Sequence, residues 1–186
     1  GSQQVCNTGL NIIVKDKNAL DLSKAKKKIN KWLKTNFAYK NGFELHYRDI
    51  KPKILAEQFL EDSNGELKDY KFLCFHGKVY YCWIDIDRFG DHRRNIYDLN
   101  WKLQEWTQNY PNSDMEIPRP QNFELMINLA EKLSKNFSHV RVDFYNVDGK
   151  IYFGEMTFTS ESGFSKIEPY KYNQMLGALW KLPINK

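Results

Sequence analysis

Hydrophobic and polar positions along this chain switch between a period of two and a helical period. Asp69-Tyr70-Lys71-Phe72-Leu73-Cys74-Phe75 and Lys78-Val79-Tyr80-Tyr81-Cys82-Trp83-Ile84 are aromatic, strand-forming runs on either side of His76-Gly77. They predict a hairpin. His139 to Tyr145 and Ile151 to Phe158 flank the turn Asn146-Val147-Asp148-Gly149-Lys150 and predict a second hairpin. Asn11-Ile12-Ile13-Val14-Lys15, after a turn at Asn7-Thr8-Gly9, reads as a strand. So does Lys53 to Phe59, which ends in the acidic turn Glu61-Asp62-Ser63-Asn64-Gly65, and Asn41-Gly42 reads as a turn. Helical spacing appears in three places. Ala25, Ile29, Trp32 and Leu33 follow a cap at Asp21 or Ser23; Phe123, Met126, Ile127, Ala130 and Leu133 lie within Gln121–Asn136; a short last helix runs from about Tyr170 to Leu179. Asp85 to about Pro120 is polar and irregular, with Arg88, Arg93, Arg94, Trp101 and Trp106, and a loop of that length is more often functional than inert. The sum is an α+β fold: a mostly antiparallel sheet with packed helices, in two lobes.

Composition refines this picture at three points. The chain has 186 residues, 41% hydrophobic and 15% aromatic, enough for a packed core in one domain or two small lobes. The formal net charge is +5, with its lysines concentrated in Lys24-Ala25-Lys26-Lys27-Lys28 and nearby Lys31 and Lys34. On a helix this is a solvated face first, and an anion-binding face second. Nucleic acid is not expected as a partner. Cys6, Cys74 and Cys82 are odd in number and lack metal spacing, so they read as thiols of a reducing compartment, which points to the cytoplasm. No apolar run approaches the roughly 18 residues of a membrane span, and no signal peptide is visible. Gly1-Ser2 has the look of a cloning remnant, so the chain is expected to be a fragment of a longer one.

The second hairpin carries the candidate chemistry. Alternation puts Asp143 on one face with Arg141 and Tyr145, and Glu155 on one face with Phe153 and Thr157. Carboxylates are disfavoured inside strands and costly to bury unpaired. Two of them on paired strands suggest a hard cation, and magnesium held by one or two carboxylates usually also holds substrate phosphates. The plainer reading is an ion pair with Arg141 or Lys150 at a sheet edge. In the loop that also holds Asp85, Asp87, Asp91 and His92, Arg88 directly follows the hairpin strand and is favoured over Arg93 and Arg94 as an anion clamp, against a salt-bridged surface loop. The four histidines are scattered and read as structural. No Ser-His-Asp or Cys-His arrangement is visible.

The order and spacing of Ala56-Glu57-Gln58-Phe59, Asp69-Tyr70-Lys71-Phe72, Arg141-Val142-Asp143-Phe144-Tyr145 and Phe153-Gly154-Glu155-Met156-Thr157-Phe158 resemble the ATP-grasp enzymes, and among them the TupA-like branch. The resemblance implies a nucleotide held between two lobes: residues 1–62 as a small glycine-loop lobe and residues 63–186 as a larger lobe with the metal-binding carboxylates. It implies ATP and Mg2+ as cofactors. Asn7-Thr8-Gly9 would be the loop over the phosphates, Glu57-Gln58-Phe59 would be the adenine hinge, Glu61 or Asp62 would lie near the ribose, and Lys15 would be among the nucleotide-binding residues. Lys71 would contact the phosphates, Lys71, Arg88 and Arg141 would be catalytic, and Asp143 and Glu155 would bind the metal. The implied reaction joins a carboxylate to an amine through an acyl phosphate, with sugar-linked substrates of cell-surface polysaccharide assembly included. Three departures stand out. Gln3-Gln4-Val5-Cys6 has no lysine before the glycine turn; Glu155-Met156-Thr157 replaces the usual Glu-x-Asn; and the family's N-terminal lobe is missing or truncated. These departures leave a second reading open, a non-catalytic ATP-grasp-like module that binds nucleotide, polysaccharide or a protein partner.

Overall fold

A computed structural model describes residues 11–39, 44–63, 67–86 and 91–182. These fall into two compact units, one of residues up to Glu61 together with Glu161–Gly163, the other of Asp62–Ser160 and the residues from Phe164 on.

The longest described element of the first unit is α1, Leu22–Leu33. Asp21 caps it by accepting from the Lys24 amide at 2.9 Å, which satisfies one of the helix's open N–H groups. The unit also has short 3-10 turns at Lys17–Ala19, Phe37–Tyr39 and Leu45–Tyr47, and most of the one at Ser160–Gly163. The strands expected at Asn11–Lys15 and Lys53–Phe59 do not form; both stretches are irregular. Each has consecutive apolar residues but, among the described residues, no neighbouring strand to take its backbone hydrogen bonds, and Ile54 and Leu55 are exposed. The turn expected at Asn41-Gly42 lies outside the described residues.

The second unit carries the sheet. Its elements are β1 (Asp69–Phe75), β2 (Lys78–Ile86), β3 (Arg93–Tyr97), β4 (Thr107–Gln108), α2 (Phe123–Ser134), β5 (His139–Val147), β6 (Lys150–Thr157), β7 (Ile167–Glu168) and α3 (Tyr170–Leu179). Five strands form one antiparallel sheet in the order β3-β2-β1-β5-β6; β4 and β7 pair separately. The two expected hairpins are β1–β2 and β5–β6, and β1 lies between β2 and β5. The fold is thus α+β, as the pattern of the chain implies.

The two faces of the sheet are covered differently. On one, Phe72, Cys74, Ile84, Val140, Val142 and Phe144 pack against Phe123, Met126, Ile127 and Ala130 of α2. Burial pushes the Cys74 thiol up to about 12 and raises Cys82 well above its ordinary value, so both are inert thiols. On the other face, Leu73, Phe75, Trp83 and Ile96 pack with Trp106 and with Leu176 of α3. The remainder of that second face, from Asp69 and Lys71 across to Glu155, is charged.

The polar stretch from Asp85 to Pro120 is less irregular than its composition suggests, since it contains β3. Asn95, Ile96 and Tyr97 are buried there. Trp101 stacks on Tyr97 with ring centroids 4.3 Å apart and donates to the Ile117 carbonyl at 2.8 Å, while Trp106 is fully buried. These aromatics are core.

One irregularity in the sheet matters for the site. Asp143 pairs with Glu155, but the next residue, Phe144, pairs with Phe153, so Gly154 is an extra, bulged residue. The bulge breaks the alternation of β6: Glu155 comes onto Asp143's face while Phe153 goes with Phe144 to the other. The sequence expectation that Glu155 and Phe153 share a face is therefore corrected. A Cβ on Gly154 would lie 2.9 Å from the Asp143 carbonyl oxygen, backbone that cannot swing aside. Gly154→Ala should accordingly destabilise the fold by about 1–3 kcal/mol, as overpacking does, measured by urea unfolding. An unchanged midpoint would show that the strands part without cost.

Candidate functional site

Five charged side chains meet on the part of the sheet's second face that the apolar cluster leaves. Asp69 and Lys71 come from β1, Arg141 and Asp143 from β5, and Glu155 from β6. Cross-strand register explains the meeting: Lys71 is opposite Asp143, and Asp143 opposite Glu155, so all three project from one face. Asp69 and Arg141 are two residues from Lys71 and Asp143 on their own strands and share that face.

The Arg141 guanidinium is the hub. Its Nε donates to Asp143 Oδ1 at 2.8 Å and its Nη2 to Asp143 Oδ2 at 2.7 Å, a bidentate grip. The same Nη2 reaches Glu155 Oε1 at 3.0 Å and the Thr157 hydroxyl at 3.1 Å, while Nη1 reaches the Ser160 hydroxyl at 3.4 Å. The Lys71 ammonium donates to the Asp69 carboxylate and to Asp143 Oδ2 at 3.3 Å.

Burial sets the electrostatics. The side chains of Lys71, Asp69 and Asp143 are almost wholly buried, whereas that of Glu155 is 32% exposed and is the cluster's door to solvent. Burial alone would raise the Asp143 pKa, but Lys71 and Arg141 more than offset it and hold the carboxyl below its ordinary range. Arg141 resists burial through Asp143 and Glu155 and is held more firmly protonated than usual. Glu155 goes the other way: burial, then the neighbouring Asp143 charge, raise it despite Arg141. Three carboxylates face two cations, and the uncompensated charge falls on the most exposed acid.

That charge imbalance decides whether a cation suits the place. Asp143 and Glu155 are hard oxygen donors on directly opposed residues, and Glu155 is destabilised as an anion by the carboxylate beside it. The donor type, the charge and the number fit magnesium, which takes one or two carboxylates and completes its octahedron with water and phosphate oxygens. The described residues include no group of three or more His, Cys, Asp or Glu side chains able to hold a metal by themselves. Arg141 now occupies the space between the two carboxylates, so the ion pair that the sequence offered as the plainer reading is formed. Lys150, the other partner considered there, lies over the Tyr152 ring instead, at 4.9 Å.

Of the other residues singled out in the sequence, Gly9 and Arg88 lie outside the described residues. Lys15, Glu57, Gln58, Phe59 and Glu61 belong to the first unit. There Lys15 pairs with Glu61 at 3.1 Å and stands 5.3 Å from the centre of the Phe59 ring, while Glu57 and Gln58 are exposed. Lys71, Arg141, Asp143 and Glu155 come together in the second unit.

Sequence reasoning missed Asp69 and Ser160 as partners in this cluster, and passed over Arg94 elsewhere on the sheet. Asp69 escaped because a strand-initial aspartate looks like a solvated end, although its spacing from Lys71 was the signal. Thr157, which the sequence did place beside Glu155, accepts from Arg141. Arg94, set aside in favour of Arg88, is a buried strand residue: its Nε donates to Asp85 Oδ1 at 2.6 Å, between the rings of Trp83 and Tyr110.

A sequence model of the TupA-like ATP-grasp family matches residues 4–181. The chain belongs to that family, and with it to proteins whose general chemistry is ATP-dependent and ligase-like. No curated protein and no solved structure matches it significantly.

The cluster's energetics give a paired test. Asp143→Asn leaves two buried cations short of their main counter-charge and should cost about 3–5 kcal/mol. Glu155→Gln should do the reverse at neutral pH. A carboxyl whose folded pKa is raised binds its proton more tightly when folded; its contribution is intact below the ordinary Glu value and is lost as pH rises through the folded one. Gln keeps the acceptor for Arg141 without that loss. The melting temperature of Glu155→Gln relative to the parent should therefore rise between pH 4 and pH 7. A constant difference across that range would show that Glu155 feels no excess negative potential.

Proposed function

We propose that this protein is an ATP- and magnesium-dependent ligase that joins a carboxylate to an amine in cell-surface polysaccharide assembly, working in the cytoplasm. The observation that carries the reading is the convergence of Lys71 and Arg141 with Asp143 and Glu155 on one face of the sheet. Phosphoryl transfer asks a protein for position and charge neutralisation rather than for a nucleophile. Two fixed cations and two hard-oxygen acids supply both.

In this reading the substrate carboxylate attacks the terminal phosphorus of ATP, and ADP leaves with the bonding electrons. The amine then attacks the acyl carbon, phosphate departs, and the amine proton passes to solvent. Lys71 and Arg141 would supply positive charge toward the transferred phosphoryl oxygens, where it lowers the barrier most. Asp143 fixes the plane of Arg141 by its two-point contact, and Asp69 holds Lys71 upright. Asp143 and Glu155 would hold magnesium, which when bound neutralises charge on the phosphate oxygens. Residues 1–62 would serve as the glycine-loop lobe, with Gly9 on the phosphates, Lys15 on the nucleotide, Glu57, Gln58 and Phe59 at the adenine and Glu61 or Asp62 at the ribose. Residues 63–186 would be the larger lobe, and Arg88 a further cation for the substrate. The reducing cytoplasm suits the two buried free thiols.

The alternative is a non-catalytic module that binds nucleotide, polysaccharide or protein. On its side is the engagement of both Asp143 oxygens by Lys71 and Arg141, together with the lysine-free Gln3 to Cys6.

Thermal melting with magnesium and a non-hydrolysable ATP analogue tests the proposal. A ligand at a hundred times its dissociation constant should add about 2.7 kcal/mol of stability. Glu155→Gln, which keeps the fold, should lose most of the magnesium-dependent part of that gain. No gain in the parent protein, or the same gain in Glu155→Gln, would remove the metal–nucleotide role from this cluster.

A further inference from the structure

Helix α1 has a face that the ATP chemistry does not use. Lys24, Lys27, Lys28, Lys31 and Lys34 recur at steps of three and four residues, which stacks them on one side of a helix. Lys26 lies beside the opposite, apolar stripe of Leu22, Ala25, Ile29, Trp32 and Leu33. All six lysines are exposed. From Leu22 to Phe43 the sequence contains no acidic residue, so nothing on the helix itself neutralises them. Among the described residues none of the six forms an ion pair; Lys28 reaches the Asn11 carbonyl at 3.4 Å and lies 5.2 Å from the centre of the Trp32 ring.

The apolar stripe is only partly covered. Ala25, Ile29 and Trp32 are half-buried, but Leu22 is 63% exposed and Leu33 38% exposed, one at each end of the helix and next to lysines. An ordinary solvated helix face needs neither an unbroken single sign of charge nor exposed leucines beside it.

We propose that α1 docks this protein on an anionic phospholipid surface. The partner follows from charge complementarity and from the apolar flank taken together. A cluster of four to eight lysines on an amphipathic helix is attracted to the negative potential of acidic headgroups. Leu22 and Leu33 at its edge reach the boundary between headgroup and acyl chain, as the apolar residues of interfacial helices do. Nucleic acid fits less well: the helix has no arginine for bidentate phosphate contacts, and its exposed flank is aliphatic rather than a stacking surface. The inference does not depend on the ligase reading, since α1 carries none of the residues assigned to nucleotide or metal.

Co-sedimentation of the full chain with lipid vesicles decides it. The protein should pellet with vesicles of phosphatidylcholine mixed with phosphatidylglycerol and stay in solution with phosphatidylcholine alone. Binding should fade in high salt as the surface potential is screened. Lys24→Ala, Lys27→Ala and Lys31→Ala together remove no contact described above and put the best helix former at each position, so the helix keeps its fold. Each lysine near the surface is worth about fivefold in partitioning, so the triple variant should bind about a hundredfold more weakly. Equal binding to both vesicle types, no binding to the acidic ones at low salt, or undiminished binding of the variant would each overturn the proposal. So would tighter binding to a duplex DNA or RNA oligonucleotide than to acidic vesicles.

Discussion

Arg141 stands between two carboxylates that strand pairing forces together, and the electrostatics of the site follow from that contact. Without the guanidinium, Asp143 would be a buried anion sharing only Lys71 with Asp69, and Glu155 would face it at close range with nothing between them. With it, Asp143 is held ionised and oriented, and the residual negative charge is displaced to Glu155, where the cluster opens to solvent. A buried ion network of this kind is weak evidence for stability, because removing charges from water costs about as much as pairing them returns.

The backbone does as much as the side chains to assemble the cluster. A regular β6 would have sent Glu155 and Phe153 to the same face and put either the acid or the ring in the wrong surroundings. The bulge at Gly154 resolves this by one residue: Phe153 is paired with Phe144, and Glu155 is opposite Asp143. The divided second face of the sheet completes the frame. Trp106, Leu176 and their neighbours cover its apolar half, and the charged cluster takes the rest.

Much of this was legible in the sequence, and what was not has physical reasons. The hairpins β1–β2 and β5–β6 and the helices α2 and α3 announced themselves through aromatic strand runs around tight turns and through clean helical spacing. The acids at 143 and 155 were legible because charge inside a strand is unusual. Strand β3 was hidden by Arg93, Arg94 and Asn95, whose polarity reads as loop until a neighbouring strand and the Trp83 and Tyr110 rings are there to bury Arg94. The strands expected at 11–15 and 53–59 failed for the converse reason: apolar residues in a row do not make a strand without a partner for the backbone. The side on which Glu155 falls was beyond a rule of strict alternation, although Gly154 beside it was the visible warning. Asp69 was quoted as part of a motif and overlooked as a partner, since only cross-strand register shows that Lys71 needs two carboxylates.

The most direct measurement is a structure of the protein with magnesium and a non-hydrolysable ATP analogue. A cation should lie about 2.1 Å from oxygens of Asp143 and Glu155, with Arg141 turned from Glu155 toward the terminal phosphate and Lys71 facing the same group. A nucleotide bound elsewhere, with Arg141 still clamping both carboxylates and no metal between them, would contradict it.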